Sequence, residues 1–215
     1  MYPVIAIDGP AASGKSTVAK EIAAQLGYTY VNTGAMYRAV TWWMLEKGIN
    51  VLDAAAVEAA IKQAKTECWV KDGETFFRID GVDPLPHIRD GRVNDAVSKV
   101  ASVPLVRQIL VAAQQALAAQ APLVMEGRDI GTVVFPKSSC KLFVDADPAV
   151  REARRNKQGE ADVIAKRDKD DRSRAASPLA RAEDSFLIDS SYLGVAEVVG
   201  LAIEHVNRVG MKPAK

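Results

Sequence analysis

Short, mostly apolar runs alternate along the chain with longer amphipathic stretches. The short runs predict buried strands at 3–7, 28–31, 123–126, 141–144 and 185–189. Apolar positions at helical spacing predict helices that end at Gly27 and Gly48, others over 54–65, 90–101 and 104–119, and a closing helix from Val195 to Val206. Buried strands that alternate with helices are typical of a parallel sheet covered by helices, so the pattern predicts an α/β fold.

One segment departs from this alternation. Residues 66–83 contain short alternating runs of apolar and polar residues, with Asp-Gly pairs at Asp72-Gly73 and Asp80-Gly81. Asp-Gly pairs between such runs favour tight hairpin turns, so the segment is predicted to form an antiparallel β-meander. An antiparallel meander between helices is most simply an insertion beside the parallel core.

The junction between the first strand and the first helix carries a nucleotide-binding motif. Residues 9–16 match G-x-x-x-x-G-K-[ST], the phosphate-binding P-loop, in its required place between a strand and a helix. Backbone N–H groups of such a loop surround a polyphosphate, and the helix directs its positive end at the same oxygens. The predicted nucleotide-binding residues are Gly9, Pro10, Ala11, Ala12, Ser13, Gly14, Lys15, Ser16 and Thr17. Lys15 is expected at the β- and γ-phosphates, and the Ser16 hydroxyl is the expected ligand of Mg²⁺.

Composition narrows the possible function classes. The 215 residues suffice for one buried core with a small insertion, which predicts a single catalytic unit. The formal net charge of +1 argues against nucleic acid or an anionic membrane as a partner. Cys68 and Cys140 lack metal-ligand spacing, so neither a disulfide framework nor a zinc site is predicted. Because no apolar run is long enough to span a membrane and no leader pattern is present, we expect a cytoplasmic protein.

Polar residues at predicted strand ends mark a candidate site. Tyr37 and Arg38 follow the second strand, and Arg128-Asp129 stands between glycines directly after 123–126. Ligands bind at the carboxyl ends of parallel strands, so both places are candidates for substrate contact. Arg107, at the edge of an apolar helical stripe, is by itself indistinguishable from an ordinary surface charge.

The stretch from Arg151 to Arg181 is rich in arginine. Such a stretch is usually a solvated helix face. Arg167, Asp171 and Arg174, however, are spaced to share one helical face, where Asp171 could hold either arginine.

A P-loop combined with gathered arginines predicts phosphoryl transfer to a small acceptor. The sequence has no Asn-Lys-x-Asp motif, which weakens a GTPase interpretation. It offers no obvious histidine base either, but an acceptor that is itself a phosphate is already anionic and needs none. Arginines and a metal would offset the repulsion between two anions. A kinase of another small molecule, and an ATP-binding regulatory module without turnover, remain as alternatives; the second anion site disfavours the regulatory module.

These motifs together resemble those of the bacterial cytidylate kinases. The resemblance runs nearly end to end and is carried by Ile7 to Ser16, Asn32-Thr33-Gly34-Ala35-Met36-Tyr37-Arg38, residues 127–136 (Gly-Arg-Asp-Ile-Gly-Thr-Val-Val-Phe-Pro), and Arg167 to Arg174. It implies a P-loop NTPase fold in which a parallel β-sheet core carries an antiparallel NMP-binding insertion and a helical lid. It also implies transfer of the γ-phosphoryl group of Mg·ATP to CMP or dCMP, giving CDP or dCDP.

The same resemblance implies roles for individual residues. Lys15, Arg128 and Arg167 are the expected catalytic residues, with Arg167 at the transferring phosphoryl group. Arg38, Arg107 and Arg128 are expected near the acceptor's phosphate, and Thr33, Asp129, Asp171 and Arg174 around its cytosine or sugar; Tyr37 completes the expected substrate-binding set. A carboxylate can accept from the exocyclic amine of cytosine while arginine donates to O2 and N3, whereas uracil presents the opposite pattern.

The family pattern also predicts how the chain is divided. The core is expected to comprise 1–62, 100–150 and 176–215, the NMP-binding insertion 63–99 and the lid 151–175, in a monomer. Three features depart from the pattern: Asn32 stands where Asp is common, Glu126 where Asp often precedes Gly-Arg-Asp, and 155–166 is shorter than in many relatives. Contacts to adenine are expected from Arg151, Arg154 or Arg155.

Overall fold

A five-stranded parallel sheet forms the centre of the computed structural model, which describes residues 1–157, 164–174 and 176–214, without the side chain of Arg167. The strands of the chain are β1 (Val4–Asp8), β2 (Thr29–Asn32), β3 (Thr66–Lys71), β4 (Glu74–Ile79), β5 (Leu123–Gly127), β6 (Cys140–Asp145) and β7 (Phe186–Asp189). The parallel sheet has the order β2-β5-β1-β6-β7. Every residue of β1 and β5 is buried, which agrees with the unbroken apolar runs that precede Asp8 in β1 and Glu126 in β5.

Eight α-helices are described around the strands, besides a 3₁₀ turn at Leu85–His87 and a short π-helix at Ile130–Val134. The α-helices are α1 (Lys15–Leu26), α2 (Thr33–Glu46), α3 (Ala54–Gln63), α4 (Gly91–Val100), α5 (Pro104–Leu117), α6 (Pro148–Lys157), α7 (Ile164–Arg172) and α8 (Val195–Arg208). The two helices α1 and α8 share one buried apolar cluster with the sheet. A second cluster joins α2 to α5, and a third places the end of α5 against the sheet. The predicted α/β architecture is therefore confirmed.

Local signals in the sequence set the helix ends. The Asn32 side chain accepts from the backbone N–H of Ala35 at 3.0 Å and starts α2, and the Asp53 carboxylate accepts from the first turn of α3. Gly27 ends α1 in the left-handed conformation, with φ of 67°. The predicted helices over 54–65 and 104–119 end two residues earlier, at Gln63 and Leu117.

The antiparallel segment is a hairpin and not a full meander. The strands β3 and β4 pair across the Asp72-Gly73 turn, where both residues have positive φ as a tight hairpin turn requires. After the second turn the chain makes only one isolated bridge, between Ile79 and Val82, so the predicted third run does not become a strand. The Thr75 hydroxyl donates to the backbone carbonyl of Tyr30 at 3.0 Å, which attaches the hairpin to the edge strand β2.

No single helix in the described ranges is long and apolar enough to cross a membrane. The helices α4 and α5 meet that length only when they are counted together, across a bend of 98°.

Candidate active site

A cleft of about 810 Å³ lies at the carboxyl ends of β1, β2 and β5. The P-loop forms one side of it, and the start of α2 and the residues that follow β5 form the other. Side chains from α6 and from the end of α7 also reach it. Because all strands of the sheet are parallel, the loops that carry the sequence motifs meet at this one edge.

The P-loop follows β1 directly and depends on glycine. Gly9 has φ of 156°, and a Cβ at this position would lie 2.0 Å from the backbone oxygen of Val144. No larger residue can therefore replace Gly9 without moving β6 or the loop. Of the nine predicted nucleotide-binding residues, Gly9, Pro10 and Ser13 do not line the cleft, whereas the other six do: Ala11, Ala12, Gly14, Lys15, Ser16 and Thr17.

Lys15 and Ser16 converge on one buried carboxylate. The Lys15 ammonium donates to the carbonyl of Pro10 at 3.0 Å and lies 3.9 Å from Oε2 of Glu126. The Ser16 hydroxyl donates to Oε1 of Glu126 at 2.6 Å, and the Tyr30 hydroxyl donates to the same oxygen at 3.0 Å. Burial and the neighbouring Glu126 carboxylate raise the pKa of Tyr30, so this phenol remains a donor. The sequence had presented Glu126 only as a departure from a family pattern, although its place at a strand end was a usable signal.

The acceptor side of the cleft contains a buried ion pair between Arg107 and Asp129. The Arg107 side chain donates through Nη2 to Oδ2 of Asp129 and through Nη1 to the carbonyl of Ala101 at 3.3 Å. Its guanidinium carbon lies 5.2 Å from the ring centroid of Tyr37, a cation–π contact. Burial raises the pKa of Tyr37 to about 12. Arg107 is only 4 % exposed, so its interpretation as an ordinary surface charge is wrong.

A second cluster joins the loop after β5 to the end of α7. Oδ2 of Asp171 accepts from Nε of Arg128 at 2.7 Å, and Oδ1 accepts from Nη2 of Arg174. Asp171 thus holds Arg174, one of the two arginines predicted from the helical spacing, although Arg174 lies beyond the last residue of α7. The side chain of Arg167 lies outside the described part of the chain.

The remaining predicted side chains lie between these clusters. The Thr33 hydroxyl donates to the carbonyl of Glu126 at 2.8 Å. Arg38 donates through Nη1 to the carbonyl of Ile88 at 3.1 Å and also to Oδ1 of Asn94. The structure therefore brings the whole predicted acceptor-binding set to one cleft: Thr33, Tyr37, Arg38, Arg107, Arg128, Asp129, Asp171 and Arg174.

The arginines of α6 separate into two groups. Arg151 is 2 % exposed and does not line the cleft. It donates to the carbonyls of Ala146 and Ala11 and, through two nitrogens, to Asp168. Arg154 and Arg155 line the cleft instead.

Arg154 is connected to the P-loop through one serine. It donates to Oγ of Ser190 at 3.0 Å, and that hydroxyl donates to the carbonyl of Ser13 at 2.8 Å. Ser190 was missed at the sequence level because it follows β7, remote from every motif.

Asp8 is a further residue, within a motif that assigned it no role. Its carboxylate is 4 % exposed and accepts two backbone N–H groups from the loop after β5. Burial raises the pKa of Asp8 to about 6, an effect that these two hydrogen bonds and Arg128 oppose and that the Asp129 charge strengthens.

A protein-family model and several characterised sequences are similar to this chain over most of its length. The family model described as cytidylate kinase matches residues 5–208. A cytidylate kinase of Geobacillus kaustophilus is 42% identical over 96% of this chain and 97% of its own length. Another, of Streptomyces avermitilis, is 40% identical over 91% of this chain and 89% of its own length.

Solved structures support the fold alone. A gluconokinase from Sinorhizobium meliloti has a TM-score of 0.52 at 17% identity, covering 96% of this chain and 93% of that chain. The structure of TT1252 from Thermus thermophilus has a TM-score of 0.50 at 20% identity, with 97% and 98% covered. The resemblance inferred from the motifs is confirmed: the chain belongs to the cytidylate kinase family.

Proposed function

We propose that this protein transfers the γ-phosphoryl group of ATP to CMP or dCMP and so produces CDP or dCDP. The observation that carries the proposal is the cleft itself, which is lined both by the P-loop and by Arg38, Arg107 and Arg128, the three side chains proposed to form a second anion site. A protein that only bound ATP would not need the second site. The names of the relatives support CMP as the acceptor class.

The P-loop side is the proposed ATP site. The backbone N–H groups of residues 9–17, except Pro10, and the amino end of α1 would surround the phosphates. Lys15, already directed across the loop by Pro10, would stabilise the charge that develops on the transferring group. Arg167 is proposed to act on the same group.

Magnesium fits the residues on this side. Within the described ranges no group of three or more His, Cys, Asp or Glu side chains could cage a metal. Mg²⁺ bound with a nucleotide does not need such a cage, because phosphates and water supply most of its ligands. The Ser16 hydroxyl, 2.6 Å from the Glu126 carboxylate, is the proposed protein ligand. Mg²⁺ bound there would offset the negative charge of the phosphates.

The opposite side is the proposed acceptor site. Arg38, Arg107 and Arg128 would hold the phosphate of CMP, with Arg128 also acting in catalysis. Thr33, Tyr37, Asp129, Asp171 and Arg174 would contact the cytosine and the sugar. The acceptor oxygen is anionic at neutral pH, so no side chain has to remove a proton from it.

The division of the chain follows from these roles. Residues 63–99, which include the hairpin and all of α4 except its last residue, are proposed to be the NMP-binding insertion, and 151–175 the lid over the phosphates. The ranges 1–62, 100–150 and 176–215 remain as the core. We further propose a cytoplasmic monomer that acts on ATP and CMP or dCMP, without a nucleic-acid or membrane partner.

An acceptor panel tests the proposal. ADP formation from Mg·ATP is measured with CMP, dCMP, UMP, AMP, GMP and shikimate, each beside a reaction without acceptor. Efficient turnover of CMP and dCMP alone is expected. Preference for another acceptor would overturn the assignment of the base-contacting residues, and ATP binding without any turnover would favour a regulatory module.

A further inference from the structure

Asp8 lies between the P-loop and the loop that follows β5, but it does not itself line the cleft. It is the last residue of β1 and directly precedes Gly9, the first residue of the P-loop. Its carboxylate points toward the chain that leaves the neighbouring strand β5. Oδ1 accepts from the backbone N–H of Ile130 and Oδ2 from that of Gly131, both at 2.7 Å. Each carboxylate oxygen is therefore bound to a different amide of the same loop.

These two amides directly follow Arg128 and Asp129. In the parallel register Asp8 is paired with Gly127, so the loop leaves β5 beside Asp8 and turns over its carboxylate. Gly131 allows the close approach: a Cβ there would lie 3.3 Å from Oδ2 of Asp8 and 3.2 Å from Cδ of Lys141. The loop has little room to shift while Asp8 accepts both hydrogen bonds.

Stability does not explain a carboxylate at this position. Burial of an ionised group in a sheet is unfavourable, and the raised pKa of Asp8 reflects that cost. A neutral side chain of the same size would avoid it. The feature that only an ionised carboxylate provides is two acceptor oxygens for two neighbouring N–H groups.

We propose that Asp8 is a positioning residue that fixes the Arg128–Asp129 pair relative to the P-loop. This inference rests on the proposed function, because it takes Arg128 and Asp129 as contacts of the acceptor. Because Asp8 directly precedes the P-loop and is hydrogen-bonded to the loop after β5, it would fix the distance and orientation between the two anion sites. Misplacement of reacting groups by about 1 Å can cost about 100-fold in rate, so this relation matters for transfer.

The decisive variant is Asp8→Asn. Asparagine keeps the size but has one acceptor oxygen, and its NH₂ group would face an N–H donor, so one of the two loop amides loses its partner. The kcat/KM for CMP is expected to fall about 10- to 100-fold, with a smaller preference for CMP over UMP. The Kd of a non-hydrolysable ATP analogue, measured by calorimetry, should change by less than about twofold, because the P-loop keeps its contacts. The melting temperature at pH 8 should change little, because removal of a buried charge is stabilising whereas loss of one hydrogen bond to a buried N–H is destabilising.

Asp145→Asn is the matched control. Asp145 ends the neighbouring strand β6, and its carboxylate accepts only from the N–H of Ala146 among the contacts of the described chain. This control should retain the wild-type preference for CMP over UMP. If Asp8→Asn weakens CMP and the ATP analogue equally, or lowers the melting temperature while kcat/KM is kept, Asp8 is only structural and the proposal is overturned.

A measurement on the wild type covers the case in which Asp8→Asn does not fold. The amide protons of Ile130 and Gly131 should be shifted downfield and exchange slowly, as charge-assisted hydrogen bonds require. Ordinary shifts with fast exchange would overturn the proposal. These amides report on the loop whatever the acceptor is, so a wild type that fails to phosphorylate CMP would refute the proposed function and leave the positioning test intact.

Discussion

Lys15 is a basic residue that lines the cleft and is only 6 % exposed. Substitution of Lys15 therefore tests directly whether its charge takes part in phosphoryl transfer. Lys15→Met keeps the length of the side chain but removes the charge that is proposed to act on the transferring group. We expect kcat to fall about 100- to 1,000-fold with the fold retained, since a single donor to developing charge contributes about that much. Steady-state kinetics at saturating substrates, beside circular dichroism, measure this.

Lys62→Met on α3 is the control for loss of a positive charge, because Lys62 is exposed and remote from the cleft. It should keep the wild-type kcat. A near-wild-type kcat in Lys15→Met would remove Lys15 from the mechanism.

The raised pKa of Asp8 predicts an unusual pH dependence of stability. The folded chain binds the Asp8 proton more tightly than the unfolded chain, with a pKa of about 6 against 3.8. The stabilisation from the protonated form is complete below pH 3.8 and is lost as the pH rises through 6. Relative to Asp8→Asn, the wild-type free energy of unfolding should therefore decrease by about 3 kcal/mol between pH 3.8 and pH 7.

Urea unfolding of both proteins at several pH values measures this difference. Subtracting the curve of Asp8→Asn removes the contributions of carboxyl groups that do not interact with Asp8. A constant difference between the two proteins from pH 4 to pH 7 would contradict the raised pKa.

At the scale of elements, the buried side chain of Arg151 on α6 links α7 to the P-loop through hydrogen bonds. Arg151 donates to the carbonyl of Ala11 in the P-loop and, at 2.6 and 3.0 Å, to both carboxylate oxygens of Asp168 on α7. Asp168→Ala leaves the nearly inaccessible Arg151 charge without its carboxylate. The free energy of unfolding should fall by about 3 kcal/mol, and amide exchange of α7 should accelerate.

The control for this change is Asp170→Ala, which makes the same substitution two residues further along α7. It should alter the stability by less than about 1 kcal/mol. Equal effects of the two substitutions would mean that helix composition, and not the Arg151 contact, sets the stability of α7.

The elements were predictable from the sequence because their signals are local. Apolar runs marked the strands, and Asn32 and Gly27 marked helix ends through contacts within a few residues. The predicted meander has only two strands because a strand also needs a partner, and after the second turn Val82 makes only a single bridge, to Ile79.

The pairing of charged groups was not predictable in the same way. Arg107 meets Asp129 from 22 residues away, and Arg128 meets Asp171 from 43 residues away. Asp8 bonds an amide 122 residues later. Such contacts depend on which strands lie side by side, and hydrophobic periodicity does not contain that information. The prediction that these residues share one site therefore came from the family motifs and not from residue spacing.

At the scale of the whole molecule, the small net charge does not reflect the excess of basic over acidic side chains around the cleft. The chain carries a formal net charge of only +1, yet the side chains around the cleft are far more often basic than acidic. Both proposed substrates are anions, and charges that line a cleft act on an approaching ligand more than the net charge does. We therefore expect kcat/KM for CMP to fall several-fold as NaCl rises from 50 to 500 mM, because the Debye length shrinks from about 14 Å to about 4 Å.

Substitution of two exposed arginines, one in the cleft and one outside it, distinguishes the effect of the local electrostatic field from that of the net charge. Arg89 lines the cleft, whereas Arg208 lies on α8 and pairs with Glu204 at 2.9 Å. Arg89→Gln should lower kcat/KM for CMP about two- to fivefold at 50 mM NaCl and much less at 500 mM, since screening removes its long-range attraction. Arg208→Gln makes the same change in net charge and should leave kcat/KM unchanged at both salt concentrations. An Arg89→Gln defect that persists at 500 mM would indicate a direct contact with the acceptor, and equal defects in both variants would mean that net charge governs association.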